Sequence, residues 1–219
     1  MCGRYHQHKP RELLELMFEI GEAIGDPDVF EARAEIRPTN FAPVIRALAD
    51  GVRTLSMLRW GLVPNWARDT KIASNCINAR SETAPERPAF RDAVRARRCI
   101  IPATGFWEWK DVGLKKKVKY EVRPSGPSGS IAAECFALAG LWARWQPPDG
   151  GPELLTFSLL TTEANTTMSA LHDRMPVLLP PEAFELWLDP NQQDLGPLAR
   201  FVVPSPPDWL TVRLAEVDG

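Results

Sequence analysis

Short apolar bursts separated by turn residues run through most of this chain. In "RELLELMFEI", Leu13, Leu16, Met17 and Ile20 recur at helical spacing, which predicts an amphipathic first helix. "GDPD" at 25–28 is turn chemistry. "APVIRALADGVRTLSMLRWGLVP" reads as two apolar strands around the turn signal "ADG", a hairpin. "PAFRDAVRARR" predicts a short helix with Phe90, Val94 and Arg97 along it. "CIIPATGFWEWK" predicts a buried strand kinked at Pro102 and Gly105.

The second half continues the pattern. "LKKKVKYEVRP" predicts an exposed strand, its "KKKVK" run a solvated edge protected from aggregation, and "PSGPSGS" a loop tip. "CFALAGLWARW" and "LLTFSLLTT" are apolar strands separated by "QPPDGGPE". "NTTMSALHD" predicts a short capped helix, "RMPVLL" a strand, and "PPEAFELWLD" a helix opening on proline. "DWLTVRL" ends the pattern as a strand. Strands dominate and their connections are short. The expected class is α+β, with a mainly antiparallel, curved, barrel-like sheet and short flanking helices. One domain over 1–219 fits, because the 124–130 loop is too short to link two.

Composition narrows the function. The 21 prolines are dispersed, which favours many short elements over a long-helix bundle. Net charge is −2, so no global basic field attracts nucleic acid, and such binding needs a local patch. Cys2, Cys76, Cys99 and Cys135 form no C-x-x-C pair, which argues against a zinc knuckle. No metal or cofactor is implied. With no signal pattern and no apolar run near ~18 residues, a cytoplasmic monomer with reduced thiols and no membrane association is expected.

The opening "MCGRY" carries the first candidate chemistry. Loss of Met1 gives Cys2 an α-amine of pKa ~7.7–8.0 beside a thiol near ~8.5. An amine and thiol on adjacent carbons trap an aldehyde, first as an imine and then as a five-membered thiazolidine. Alternatively the thiol attacks an amide, with the amine as base. His172 lies at a helix-to-strand junction, where Asp173 or a backbone carbonyl can orient its ring. Glu108 in "GFWEWK" has two readings: a solvent-facing residue, or a desolvated carboxyl that shuttles protons. Asn78 and Arg80 share a face in "CINARSET", either as an ordinary turn or as a holder of a ligand hydroxyl and a phosphate. Arginines together with Trp60 and Trp66 suit single strands by phosphate pairing and stacking, although tryptophan on a strand also builds cores.

In order, "MCGRY", "RWGLVPNWA", "NARSET", "RRCIIPATGFWEW", "LAGLW", "TTEAN" and "LHDRMPVLL" resemble the SRAP family, the SOS-response-associated peptidase-like proteins. The resemblance runs from residue 2 to about residue 190. It implies the SRAP fold and covalent capture of abasic sites in single-stranded DNA, as a thiazolidine on Cys2 once Met1 is lost. By motif it places the active site at Cys2, Asn78, Glu108 and His172, with DNA contacts at Arg4, Pro38, Asn40, Trp66, Arg80 and Arg174. Asn78 holds the sugar, His172 assists ring opening, and Glu108 moves protons through imine formation. The implied outcome is shielding of the strand in the DNA-damage (SOS) response. Weak lyase activity and self-removal of Met1, a peptidase reaction, accompany it. Such a protein is expected at the nucleoid when bound to DNA. Two rivals stand beside this reading: an N-terminal-cysteine amidohydrolase of glutaminase type, and a non-covalent single-strand binder.

Overall fold

The computed structural model describes residues 2–24, 30, 32–113, 117–126 and 131–215. The turn expected at 25–28 and part of the 124–130 loop lie outside the described residues. Thirteen strands occur among the described residues. They are β1 (Arg4–Gln7), β2 (Glu22–Ile24), β3 (Arg33–Ile36), β4 (Phe41–Ala47), β5 (Arg53–Trp60), β6 (Asn78–Arg80) and β7 (Arg98–Ala103). They continue with β8 (Gly105–Asp111), β9 (Lys117–Pro124), β10 (Phe136–Trp145), β11 (Leu154–Glu163), β12 (Arg174–Pro176) and β13 (Leu210–Leu214). The helices are short: α1 (Arg11–Phe18), α2 (Arg91–Ala96), α3 (Ile131–Glu134), α4 (Phe184–Leu188) and α5 (Gly196–Ala199). None is long and apolar enough to cross a membrane among the described residues.

The α+β class is the observed one, and its larger sheet closes on itself. β11, β10, β7, β4 and β5 pair in that order, all antiparallel. β5 then returns to β11 in parallel through Thr156↔Arg59 and Phe157↔Trp60, completing a barrel. Alternation along each strand fills both sides of this wall. Val44, Ile101, Leu138 and Leu159 join one core cluster with Cys2, Tyr5, Trp60 and Phe106. Their neighbours Ile45, Ile100, Ala139 and Leu160 join another beneath the helices, with Leu14, Phe18 and Trp187. A second, antiparallel sheet in the order β13-β9-β8-β1-β3 covers the first cluster. The stretch "CIIPATGFWEWK", expected as one kinked strand, is two: the single residue Thr104 carries the chain from β7 in the barrel to β8 in the second sheet.

Two local expectations change. α1 forms, but its buried stripe is Leu14 and Phe18, while Leu13 is 41% and Leu16 75% exposed. Apolar residues cover most of this helix, and packing decides the face: Phe18 stacks on Phe184 of α4 at 5.5 Å. β9 is not an edge strand. It pairs with β8 on one side and β13 on the other, and Glu121 and Val122 are buried. The charged residues that suggested solvent are spent on a polar outer face, opposite Val122.

The expected hairpin, capped turn and free thiols are observed. The β4–β5 hairpin turns at Gly51, whose φ of 85° suits glycine. The capped helix is a single 3₁₀ turn, Met168–Ala170, where Asn165 Oδ1 accepts the Met168 N–H at 2.9 Å. All four cysteines are free and buried.

Candidate functional site

β1 and β6 bring the candidate residues together. Cys2 stands just before β1, which is held between β3 and β8. The residue is 1% exposed. Asn78 opens β6, which pairs in parallel with β11 through Leu159↔Asn78. Asn78 Nδ2 donates to the Cys2 carbonyl at 3.0 Å, tying the chain start to the barrel. Asn78 Oδ1 is buried and has no hydrogen-bond partner among the described residues. A buried amide oxygen in that state is an acceptor waiting for a donor. Arg80, two residues along the same face, is exposed, with buried Ala79 between them.

Glu108 sits on β8 between Trp107 and Trp109 and shares its face with Phe106. That face meets the core, so Glu108 is buried at 3% exposure. Burial, and then the charge of Glu108, push the Cys2 thiol far above its ordinary range; its contact with the Arg4 carbonyl at 3.9 Å acts the other way. The thiol is therefore protonated at neutral pH. Gly3, Arg4, Glu108, Trp109, Lys117 and His172 line an open cleft of about 360 Å³, so the residues around Cys2 reach solvent here.

His172 brings an imidazole to this cleft from the turn before β12. Its Nδ1 has two competing partners: Asp173 Oδ1 at 2.7 Å, and the Arg174 N–H at 3.0 Å. A neutral ring with its proton on Nε2 accepts from Arg174. A protonated ring donates to Asp173 instead.

The arginines differ. Arg4 is 39% exposed, pairs with Glu35 at 2.9 Å and lies 5.0 Å from the Trp109 ring centre. Arg174 is buried. Its guanidinium forks onto Glu82 at 2.7 and 2.8 Å and donates to the Thr161 carbonyl at 2.6 Å. This pairing holds the Glu82 carboxyl below its ordinary range. Arg174 braces the "NARSET" turn against β11 and β12, and a phosphate reaches it only in competition with Glu82.

Pro38 and Asn40 belong to a tight turn. Asn40 Oδ1 accepts the Arg37 N–H at 2.9 Å, and Thr39 is left-handed at φ 77°. The turn hangs on Trp60, through Thr39 N–H to the Trp60 carbonyl and Trp60 N–H to the Asn40 carbonyl, both 2.9 Å. Trp60 Nε1 in turn donates to the Ile77 carbonyl at 2.8 Å, one residue before Asn78. One core tryptophan thus fixes both the turn and the asparagine. Trp66 projects elsewhere: it is 54% exposed and its Nε1 reaches the Pro88 carbonyl at 3.4 Å. Of the expected residues, Arg4, Glu108 and His172 line the cleft; Cys2 and Asn78 are joined to each other but do not line it, and neither do Pro38, Asn40, Trp66, Arg80 and Arg174. Sequence reasoning missed Trp109, Lys117 and Glu82. The signals were present in "GFWEWK", "KKKVK" and "NARSET".

A closed barrel covered by a second sheet, with a cysteine at position 2 held by an amide beside a buried carboxyl and a cleft that an imidazole lines, defines a narrow class of protein. The chain belongs to the SOS response associated peptidase (SRAP) family, whose model matches residues 1–217. It is 37% identical over 209 residues to the abasic site processing protein YoqW of Bacillus subtilis, covering 93% of this chain and 87% of that protein. Abasic site processing protein HMCES of Xenopus tropicalis is 31% identical over 187 residues, which is 75% of this chain and 56% of that one. Among solved structures, a Bacteroides thetaiotaomicron protein aligns with a TM-score of 0.86 at 25% identity, over 99% of this chain and 93% of its own.

Proposed function

We propose that this protein captures the aldehyde of an abasic site in single-stranded DNA as a thiazolidine on Cys2, and so shields the strand. The observation that carries the reading is the placement of Cys2: 1% exposed, tied by its carbonyl to Asn78 at 3.0 Å, beside buried Glu108 and next to the cleft that His172 lines. The names of the abasic site processing relatives support the choice of substrate.

The chemistry follows from these residues. Removal of Met1, by self-cleavage or by an aminopeptidase, exposes the Cys2 amine. Asn78 Oδ1 accepts a sugar hydroxyl, and His172 moves the proton that opens the hemiacetal. The neutral amine attacks C1′, forming a C–N bond. Glu108 helps the carbinolamine lose water and become an imine. The thiol, kept protonated by burial and by Glu108, then adds to the imine carbon: the S–C bond forms and the proton passes to nitrogen. Ring closure is intramolecular, which gives it a high effective molarity. It also removes the imine that would favour β-elimination, so lyase activity is weak while the thiol is present. Arg4, Arg80 and the 37–40 turn supply modest phosphate affinity that falls with salt.

The test is a denaturing gel of the protein with an oligonucleotide bearing one abasic site. Cys2→Ala and an undamaged oligonucleotide run alongside. A heat-stable band that needs both Cys2 and the abasic site is expected. Absence of that band, with protein whose intact mass proves loss of Met1, refutes the proposal and makes glutamine hydrolysis the next assay.

A further inference from the structure

The outer face of the second sheet carries a cationic and aromatic patch that the capture chemistry leaves unused. β8 presents Trp107 and Trp109 there, on the side opposite Phe106 and Glu108. Register sets Glu121 of β9 across from Trp107 and Lys119 across from Trp109. The Lys119 ammonium rests 3.9 Å from the Trp107 ring centre, and the Arg4 guanidinium 5.0 Å from that of Trp109. Glu121 is buried and held by Arg123 at 2.7 Å and Arg213 at 2.6 Å, both arginines about half exposed. Glu35 likewise holds both Arg4 and Arg37, each at 2.9 Å. Each carboxylate is thus outnumbered two to one, and Lys119 adds a charge that rests on a ring. The chain as a whole carries −2, so this face reverses the sign of the molecule.

We infer that this face is a track for the single strand flanking the captured nucleotide, running from the cleft at Trp109 and Lys117 over Lys119 and Trp107 to Arg123 and Arg213. The inference rests on the function proposed above and extends it, beyond Arg4, to residues that function does not use. Three features favour a drawn-out nucleic acid strand. The patch is continuous with the cleft, because Arg4, Trp109 and Lys117 belong to both. Cations alternate with ring faces, the combination that pairs phosphates and stacks bases without regard to sequence. Trp107 and Trp109 are two residues apart on one strand, about 6.6 Å, wider than the ~3.4 Å rise of stacked bases, so the rings suit an unstacked strand rather than a duplex. The side chains that cover the rings also supply the charges. Lys119 and Arg4 leave Trp107 and Trp109 for phosphates, and bases take the faces they vacate.

The test measures binding by fluorescence anisotropy, in the Cys2→Ala background so that no covalent bond forms. Oligonucleotides carry a stable abasic mimic with either short flanks of about three nucleotides or long flanks of about twelve. Lys119→Gln with Arg123→Gln is compared with the parent. The fold survives these changes because Arg213 keeps Glu121 paired, and matching melting temperatures check this. The parent is expected to bind long flanks tighter than short ones. The double substitution is expected to lower long-flank affinity about 10- to 30-fold near 0.1 M salt and to flatten the salt slope by about 1.4, leaving short-flank binding unchanged. Equal long-flank affinity in parent and variant overturns the track. So does displacement of the strand by polyglutamate at equal charge concentration, which would make the face a general polyanion or acidic-protein surface. Failure of the parent with Cys2 intact to crosslink any abasic oligonucleotide counts against the capture chemistry instead, and flank dependence on undamaged strands still tests the track.

Discussion

Acidification should weaken this fold well before its carboxylates titrate, and His6 is the reason. The ring is 1% exposed, lies on β1 and packs against Gly105, where an added Cβ would come within 2.5 Å of Nε2. Its Nδ1 faces Thr104 Oγ1 at 3.0 Å, and its ring lies 4.8 Å from His8 and 5.3 Å from Trp107. Burial, and then His8, lower its pKa from 6.5 to about 4, against the pull of Glu121 Oε1, 3.0 Å from Nε2. Arg123 and Arg213 already claim that carboxylate, which blunts its pull. The unfolded chain takes up a proton as pH falls through 6.5, while the folded chain refuses it until near 4. The stability held above pH 6.5 is therefore lost across that interval. Between pH 7 and pH 5 the loss is about 2 kcal/mol, or about 4–8 °C in melting temperature for a chain of this size. Glu35, Glu82 and Glu121 all have lowered pKa values, so they do not titrate in this window. Thermal unfolding followed by circular dichroism at the two pH values tests this in the parent and in His6→Gln. The parent should lose those degrees and the variant should lose few of them. A parent that melts higher at pH 5 would show that Glu121 keeps His6 charged, and would refute the reasoning. Equal loss in both proteins would assign the effect to another group.

Asn78→Ala removes the donor to the Cys2 carbonyl and the buried acceptor beside it. It should cost about 1 kcal/mol of stability, read from urea midpoints, and slow crosslinking about tenfold or more. Glu82→Gln leaves buried Arg174 without its carboxylate. A loss of about 1–2 kcal/mol is expected in the urea midpoint, with the salt slope of binding unchanged unless the freed Arg174 takes a phosphate, which would steepen it by about 0.7. Gly140→Ala drives a methyl to 2.2 Å from Ile101 Cδ1 and 3.0 Å from the Ser158 carbonyl in the barrel wall. A loss of about 1–3 kcal/mol should appear in the urea midpoint, and an unchanged midpoint would mean that the wall repacks freely.

The hairpin of β4 and β5, the strands β10 and β11, and the capped turn before His172 were legible because each is local. Turn residues, β-branched runs and an Asn cap act over a few positions. A barrel-like sheet was expected, but the contact that closes it was not legible. Closure depends on the parallel contact of Trp60 with Phe157, which no local pattern records. The continuous apolar run in "CFALAGL" gave no strand face, because one face fills the barrel and the other lies under the helices. The α1 stripe went astray for a similar reason: with apolar residues on most of its surface, Phe184 chose the face. At the site, "MCGRY", "NARSET" and "LHDRMP" marked the right stretches. They did not show that Asn78 grips the Cys2 carbonyl, that Glu108 faces inward, or that Arg174 is committed to Glu82. Those are tertiary facts, decided by which side of β6, β8 and β12 meets the core.

Closing the barrel through β5 and β11 also sets an order in time. β11 is the last wall strand to leave the ribosome, so the ring cannot be completed until most of the chain has been made. The first residues emerge long before that, and until then nothing built from the barrel can enclose Cys2. On the proposed function, an enzyme that trims the start of a nascent chain would meet it bare, whereas self-processing by Asn78 and Glu108 would have to wait for them to arrive. The two proposed routes to a free Cys2 amine would therefore belong to different moments in the life of the chain, one during synthesis and one after folding.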